Sequence, residues 1–239
     1  MAVLLVVPAR FASSRFPGKP LAMLRGAGGE ARSLVRRSWE AARAVAGVGR
    51  VVVATEDARI RDHAEGFGAE VVMTSDRPRN GTERCAEVLD ALGGDWEAVV
   101  NLQGDAPLTP PWFVEALVAA LAADRTGAAM ATPVLRMEEG QLAAFRGDRA
   151  AGRVGGTTAV FGQGGRALYF SKEVLPFGAG AAVPAWHHVG AYAYRPGALA
   201  AYRRWPPGAL EEAEGLEQLR FLEAGAGVLE AMLAALGIG

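Results

Sequence analysis

The chain has 239 residues, with 25 lysines and arginines against 26 aspartates and glutamates, a formal net charge of -1, and one cysteine. That length can bury a full core in one large domain or two small ones. The balanced charge argues against a nucleic-acid polymer as partner, Cys85 alone excludes an intramolecular disulfide, and no apolar run is long enough to span a bilayer.

In chain order, Val3 to Val7 is a continuous β-favouring run, the pattern of a strand covered on both faces. The opening apolar stretch lacks a basic leader region and is short for a signal segment. It is therefore read as a buried strand, and the protein is expected to be cytoplasmic. Ser33 to Ala46 reads as a helix, Val51 to Ala54 as a second strand, and Ala58 to Phe67 as a helix ended by Gly68. Glu70 to Met73 is the third strand, and Thr82 to Leu92 a helix closed by Gly93 and Gly94. Ala98 to Leu102 is the fourth strand, Pro110 to Ala123 a helix with proline near its start, and Ala128 to Leu135 the fifth strand. Beyond these, Ala167 to Phe177 and His187 to Leu199 read as strands or short elements with tight turns. Leu210 to Gly225 reads as helical, with Leu216, Leu219 and Leu222 on one face.

Strands alternating with helices imply an α/β fold with a mainly parallel sheet, whose ligands gather at the carboxyl ends of the strands. Four chemically dense segments fall there: Pro8 to Lys19, Thr55 to Asp57, Asn80 to Arg84, and Gln103 to Pro107.

In the first, "PARFASSRFPGK", Arg10, Arg15 and Lys19 are spaced by small and turn-forming residues. Such a loop lets backbone N–H groups approach an anion while long cations close over it, which suits a polyphosphate. The bland alternative is a solvated basic loop. It is not a P-loop, because Pro20 follows Gly18 and Lys19 where Ser or Thr is required. In "NLQGDAP", Asp105 ends a buried strand, well placed to hold Mg²⁺, which takes one or two carboxylates plus phosphate oxygens. A turn aspartate capping the next helix is the competing reading. In "NGTERCAEVLD", Asn80 or Thr82 can cap a helix with Glu83 in its first turn, and Gly81 offers close backbone contact to a nucleotide. Both readings stand. His187 and His188 precede an apolar strand without a third metal ligand at suitable spacing. Beside Tyr192 and Arg195 they can hydrogen-bond a polyol or carboxylate.

These segments, in this order, resemble the CMP-Kdo synthetases (3-deoxy-manno-octulosonate cytidylyltransferases). The resemblance rests on "PARFASSRFPGKPLA", "VVVATEDARI", "NGTERCAEV", "VVNLQGDAPL", "ALYFSKEVLP", "HHVGAYAYRPGAL" and "LEEAEGLEQLRFLEAG", which span Val3 to about Gly225. It implies a single α/β nucleotidyltransferase domain over residues 1–239 with a mainly parallel central sheet. Residues 1–135 would handle the nucleotide, and residues 150–225 the sugar acid and a dimer contact. It implies a homodimer that converts CTP and the 2-keto sugar acid Kdo to CMP-Kdo and pyrophosphate with Mg²⁺. By resemblance Arg10, Ser13, Arg15 and Lys19 meet the triphosphate, with Ala9 and Gly81 beside the nucleotide, and Gln103 helps read it. Asp105 binds the metal, Lys19 and Asp105 are the catalytic pair, and His188, Tyr192, Glu217 and Gln218 hold the sugar acid.

The sequence departs from the family pattern in three places. The region Gly155 to Gly165, "GGTTAVFGQGG", lacks the charges of the family's Lys-Val-Val stretch and of the aspartate before "ALYFS". Ala106 stands where the family has glutamate in Gln-Gly-Asp-Glu-Pro. The chain ends "EAGAGVLEAMLAALGIG" in place of a Val-Asp-Thr-Pro-Glu-Asp segment whose first aspartate is a second metal ligand. Either Glu217 or Glu223 takes that role, or Asp105, water and CTP suffice, or the chain is catalytically weak. A cytidylyltransferase for another acidic sugar and an impaired nucleotide-binding homologue are the competing functions.

Overall fold

A computed structural model describes residues 2–12 and 16–233. By internal contacts the chain divides into two compact units, Met1–Val118 with Ala191–Arg203, and Ala119–Gly190 with Arg204–Gly239.

The first unit has the expected α/β character. Its sheet contains β1 (Val3–Pro8), β4 (Arg50–Thr55), β5 (Glu70–Met73), β6 (Ala98–Leu102) and β11 (Ala191–Tyr194) in the order β5-β4-β1-β6-β11. All neighbours are parallel except β11, which runs antiparallel to β6. The aliphatic run of β1 explains its central place: Leu4, Leu5, Val6 and Val7 are fully buried, as a strand covered on both faces requires. Truncating a leucine there costs about 2–5 kcal/mol. A short hairpin, β2 (Met23–Arg25) with β3 (Ala31–Ser33), precedes α1 (Leu34–Arg43). Helix α1 starts where the Ser33 hydroxyl accepts from the Arg36 N–H, and it buries Leu34, Val35, Ser38 and Ala42. The other helices of this unit are α2 (Ala58–Gly66), α3 (Gly81–Leu92) and α6 (Pro196–Tyr202), while α4 (Pro111–Ala123) carries the chain into the second unit.

The chain leaves β1 to build β4 and β5 on one side, then returns to place β6 on the other. This reversal opens a crevice at the carboxyl ends of β1 and β6, where doubly wound sheets bind ligands.

The second unit is built on β7 (Met130–Arg136), β8 (Thr157–Phe161), β9 (Ala167–Ser171), β10 (Trp186–His188) and β12 (Val228–Leu233). Here β7 pairs with β10, β10 with β8, and β8 with β9, all antiparallel, whereas β12 runs parallel to β7. It also contains α5 (Glu139–Ala150), α7 (Ala209–Glu214) and α8 (Leu219–Glu223). The helical run expected from Leu210 to Gly225 is therefore interrupted. Gly215 adopts a left-handed conformation (φ 62°) that ends α7, and α8 starts after Gln218.

Candidate active site

A cavity of about 460 Å³ lies at the crevice of the first unit. Ala9, Arg10 and Lys19 reach it from the loop after β1, and Gln103, Gly104 and Asp105 from the end of β6. Asn80, Gly81 and Arg84 reach it from the start of α3. Six of the eight residues expected around nucleotide and metal thus surround one space. The other two, Ser13 and Arg15, lie outside the described residues.

The floor is tight. The Gly104 N–H donates to the Pro8 carbonyl at 3.2 Å, and the buried Ser38 hydroxyl donates to the Gly104 carbonyl at 2.9 Å. A Cβ at position 104 would sit 2.5 Å from the Pro8 oxygen, so only glycine lets the two strand ends approach this closely. Above this floor the Lys19 ammonium donates to Asp105 Oδ2 at 2.6 Å, with both side chains about half exposed. So exposed a pair adds little to stability, and both charges are available to a ligand.

At the start of α3 the Asn80 side chain accepts from the Glu83 N–H at 2.8 Å, and the Glu83 carboxylate accepts from the Arg79 N–H at 2.7 Å. The capping reading of this segment is correct for Asn80, and Gly81 also lines the cavity. Thr82 does not cap; its hydroxyl is bonded to the Tyr194 hydroxyl at 2.7 Å.

Two residues that the sequence reading gave no role complete the site. Arg84 is 3% exposed, yet it lines the cavity. Burial lowers its pKa and the Glu56 carboxylate, 2.9 Å away, opposes that effect. Glu56 also accepts from the Phe11 N–H at 2.9 Å, so one carboxylate ties the phosphate-type loop to the buried cation on α3. An arginine among the inward-facing positions of α3, beside Cys85 and Val88, was the available signal. Arg59 further steadies the loop, its guanidinium 3.4 Å from the centre of the Phe11 ring.

The expected sugar-acid residues are placed as follows. Tyr192, on β11 of the first unit, is opposite Asn101 of β6 and stacks on Tyr194 at 5.9 Å. In the second unit, His188 shares a 2.8 Å hydrogen bond with the Thr132 hydroxyl and meets the Phe170 ring at 5.0 Å. Burial, with a smaller contribution from His187, lowers the His188 pKa to about 3, so the imidazole is neutral at physiological pH. Glu217 and Gln218 occupy the turn between α7 and α8. A buried two-point ion pair braces that turn: Arg220 Nε and Nη2 each donate to Glu211 at 2.6 Å. Glu223 accepts from the Leu210 and Glu211 N–H groups at 2.8 and 3.0 Å, which gives it a structural task at the start of α7. Among the described residues no cluster of three histidine, cysteine or acidic side chains could hold a metal ion. The carboxylate in the nucleotide-type cavity is Asp105. One carboxylate fits Mg²⁺ whose remaining ligands are phosphate oxygens and water.

Comparison with known proteins gives a consistent result. The cytidylyltransferase family model matches residues 4–230. The chain is 45% identical to the 3-deoxy-manno-octulosonate cytidylyltransferase of Maricaulis maris, over 94% of this chain and 85% of that protein. It is 40% identical to the 8-amino-3,8-dideoxy-manno-octulosonate cytidylyltransferase of Shewanella pealeana, over 94% of this chain and 87% of that one. Its fold matches a solved CMP:2-keto-3-deoxy-manno-octonic acid synthetase complexed with CTP, with a TM-score of 0.84 and 33% identity, over 100% of this chain and 92% of that chain.

Proposed function

The chain belongs to the cytidylyltransferase family, and from that membership we propose that it transfers the cytidylyl group of CTP to 3-deoxy-manno-octulosonate, releasing pyrophosphate. The observation that carries this reading is the convergence of Arg10, Lys19, Gln103 and Asp105 on one cavity at the β1–β6 crevice.

In the proposed reaction the anomeric hydroxyl of the sugar acid attacks the α-phosphorus. A new P–O bond forms, the bond to pyrophosphate breaks in line with it, and the hydroxyl proton is released. Such a displacement depends on positioning and charge neutralisation, and it needs no side-chain nucleophile. Arg10 and Lys19 face the triphosphate, with Ser13 and Arg15 assigned to the same task. Ala9, Gly81 and Gln103 hold the nucleoside, and Arg84 adds a fixed, desolvated positive charge behind it. Asp105 would hold Mg²⁺, which when bound neutralises phosphate charge and acidifies the attacking hydroxyl. Lys19, half exposed beside Asp105, would donate to a phosphate oxygen. His188, Tyr192, Glu217 and Gln218 are assigned to the sugar acid, His188 as a neutral hydrogen-bonding group. Residues 1–135 are assigned to the nucleotide and 150–225 to the sugar acid.

No described helix is long and apolar enough to cross a membrane. A cytoplasmic location is proposed on the single cysteine of the chain, the buried Cys85, which can form no intramolecular disulfide. A homodimer is proposed on the exposed apolar side chains Leu168, Phe177 and Val183 of the second unit.

The test is pyrophosphate release from CTP, Mg²⁺ and 3-deoxy-manno-octulosonate, with UTP, N-acetylneuraminate and the 8-amino-3,8-dideoxy sugar acid as substitutes. Release that requires both CTP and 3-deoxy-manno-octulosonate supports the reading. Faster release with the 8-amino sugar reassigns the acceptor, and CTP binding without release under any acceptor indicates an impaired homologue. Asp105→Ala should abolish the metal-dependent turnover, and full turnover would refute the metal assignment.

A further inference from the structure

Asn101 is the polar exception in β6, whose other members are Ala98, Val99, Val100 and Leu102. It is fully buried, and neither Nδ2 nor Oδ1 has a hydrogen-bond partner. Folded proteins pair more than about 90% of buried polar groups, so an amide orphaned at both ends needs a reason. A leucine or valine at this position would serve the packing of β6 better, because it carries no unmet hydrogen bonds.

The neighbours supply the reason. On one side of Asn101 in the sheet is Val6 of β1, and on the other is Tyr192 of β11. Over it lies the first residue of α3: a Cβ at Gly81 would come within 2.7 Å of Asn101 Nδ2 and 3.0 Å of Gln103 Nε2. The two amides therefore lie side by side against the same glycine. They are two residues apart on one strand direction, where side chains share a face. Gln103 lines the nucleotide cavity; Asn101 is the layer beneath it.

We infer that Asn101 is a positioning residue for Gln103: its carboxamide is kept unpaired in the empty protein so that it can fix the Gln103 amide when the nucleoside of CTP engages it. The inference rests on the cytidylyl-transfer reading. Its chemistry is complementary. A carboxamide presents one donor face and one acceptor face, so it can hold a second carboxamide in a single orientation. A fixed orientation gives Gln103 a defined donor and acceptor for the nucleoside, and binding removes the penalty that Asn101 carries in the empty protein.

The experiment compares wild type, Asn101→Leu, Gln103→Leu and the double variant by thermal melting with and without CTP, and by steady-state kinetics. Asn101→Leu should melt above wild type without ligand, while its CTP-induced rise in melting temperature falls to less than half. Its KM for CTP should rise roughly fivefold, the effect of one neutral hydrogen bond, with KM for the sugar acid unchanged. In the Gln103→Leu background it should add nothing. A KM for CTP within twofold of wild type, or a full additional loss in that background, would each overturn the inference. Should the leucine variant fail to fold, Asn101→Ser carries the same test through KM for CTP and its coupling to Gln103→Leu. A wild-type chain whose melting temperature CTP does not move sinks the cytidylyl reading and this inference together. A wild-type shift that Asn101→Leu leaves intact sinks this inference alone.

Discussion

Gly104→Ala is the sharpest test of how the site is built. The added methyl would lie 2.5 Å from the Pro8 carbonyl oxygen, where ordinary contact begins near 3.4 Å. The obstacle is backbone, so no rotamer change relieves it. The end of β6 must move away from β1, lengthening the 3.2 Å hydrogen bond from Gly104 to Pro8 and the buried 2.9 Å bond from Ser38 to Gly104. Overpacking of this kind costs about 1–3 kcal/mol and each weakened hydrogen bond up to about 1 kcal/mol. A central value of about 3 kcal/mol lowers the melting temperature of a chain this long by roughly 6–12 °C. The displacement also moves Gln103 and Asp105, which flank Gly104, so KM for CTP should rise about tenfold or more. Differential scanning fluorimetry and initial rates measure both effects. Gly28→Ala is the control: nothing lies within 4 Å of the added atom, and its effect should stay within about 0.5 kcal/mol. A Gly104→Ala protein that melts and binds CTP like wild type would refute the argument that this close approach shapes the cavity.

Other perturbations probe the second unit. Arg220→Met removes the buried guanidinium that faces the Glu211 carboxylate, and the loss should be about 3–5 kcal/mol, read by urea denaturation. The same variant should weaken binding of the sugar acid if the turn carrying Glu217 and Gln218 contacts it. Glu230 is buried, neither of its carboxylate oxygens has a partner, and burial pushes its pKa well above the usual carboxylate range. The folded state therefore binds a proton that the unfolded chain releases near pH 4.5. This contribution to stability is complete below that pH and is lost as pH rises through the folded value. Glu230→Gln should flatten that part of the stability–pH profile and stabilise the protein at neutral pH; an unchanged profile would contradict the burial. His188 behaves in the opposite sense: with its pKa lowered to about 3, its contribution is present above pH 6.5 and is lost as pH falls toward 3. His188→Gln should remove that acid sensitivity in melting curves taken across the range. Gly147→Ala, inside α5 with open space around the new methyl, should stabilise the protein by about 0.5–1 kcal/mol.

The legible parts of the fold were those with strong local signals. β1, β4, β5 and β6 lie within a residue or so of their expected bounds, because strands buried on both faces read as unbroken aliphatic runs. Ser33 and Asn80 announce their helices through cap chemistry that needs no tertiary partner. Helix α5 went unread because Leu142 is its one buried residue, which leaves no apolar stripe to detect. The hairpin of β2 and β3 has three residues per strand and is largely exposed, too short for an alternating pattern. The break between α7 and α8 turns on Gly215, a residue that helices also tolerate in their interiors.

By itself the sequence determined the α/β class and the identity of the segments that follow the strands, since both depend on patterns within a few residues of one another. Only the tertiary structure decided that Lys19 and Asp105, 86 residues apart, share a hydrogen bond, and that Glu56 joins the opening loop to Arg84. It also decided that Asn101 lies unpaired beneath Gly81. Those relations arise from the placement of β1 between β4 and β6. Local periodicity records which residues are buried in a strand, but it carries no information about which strand lies beside it.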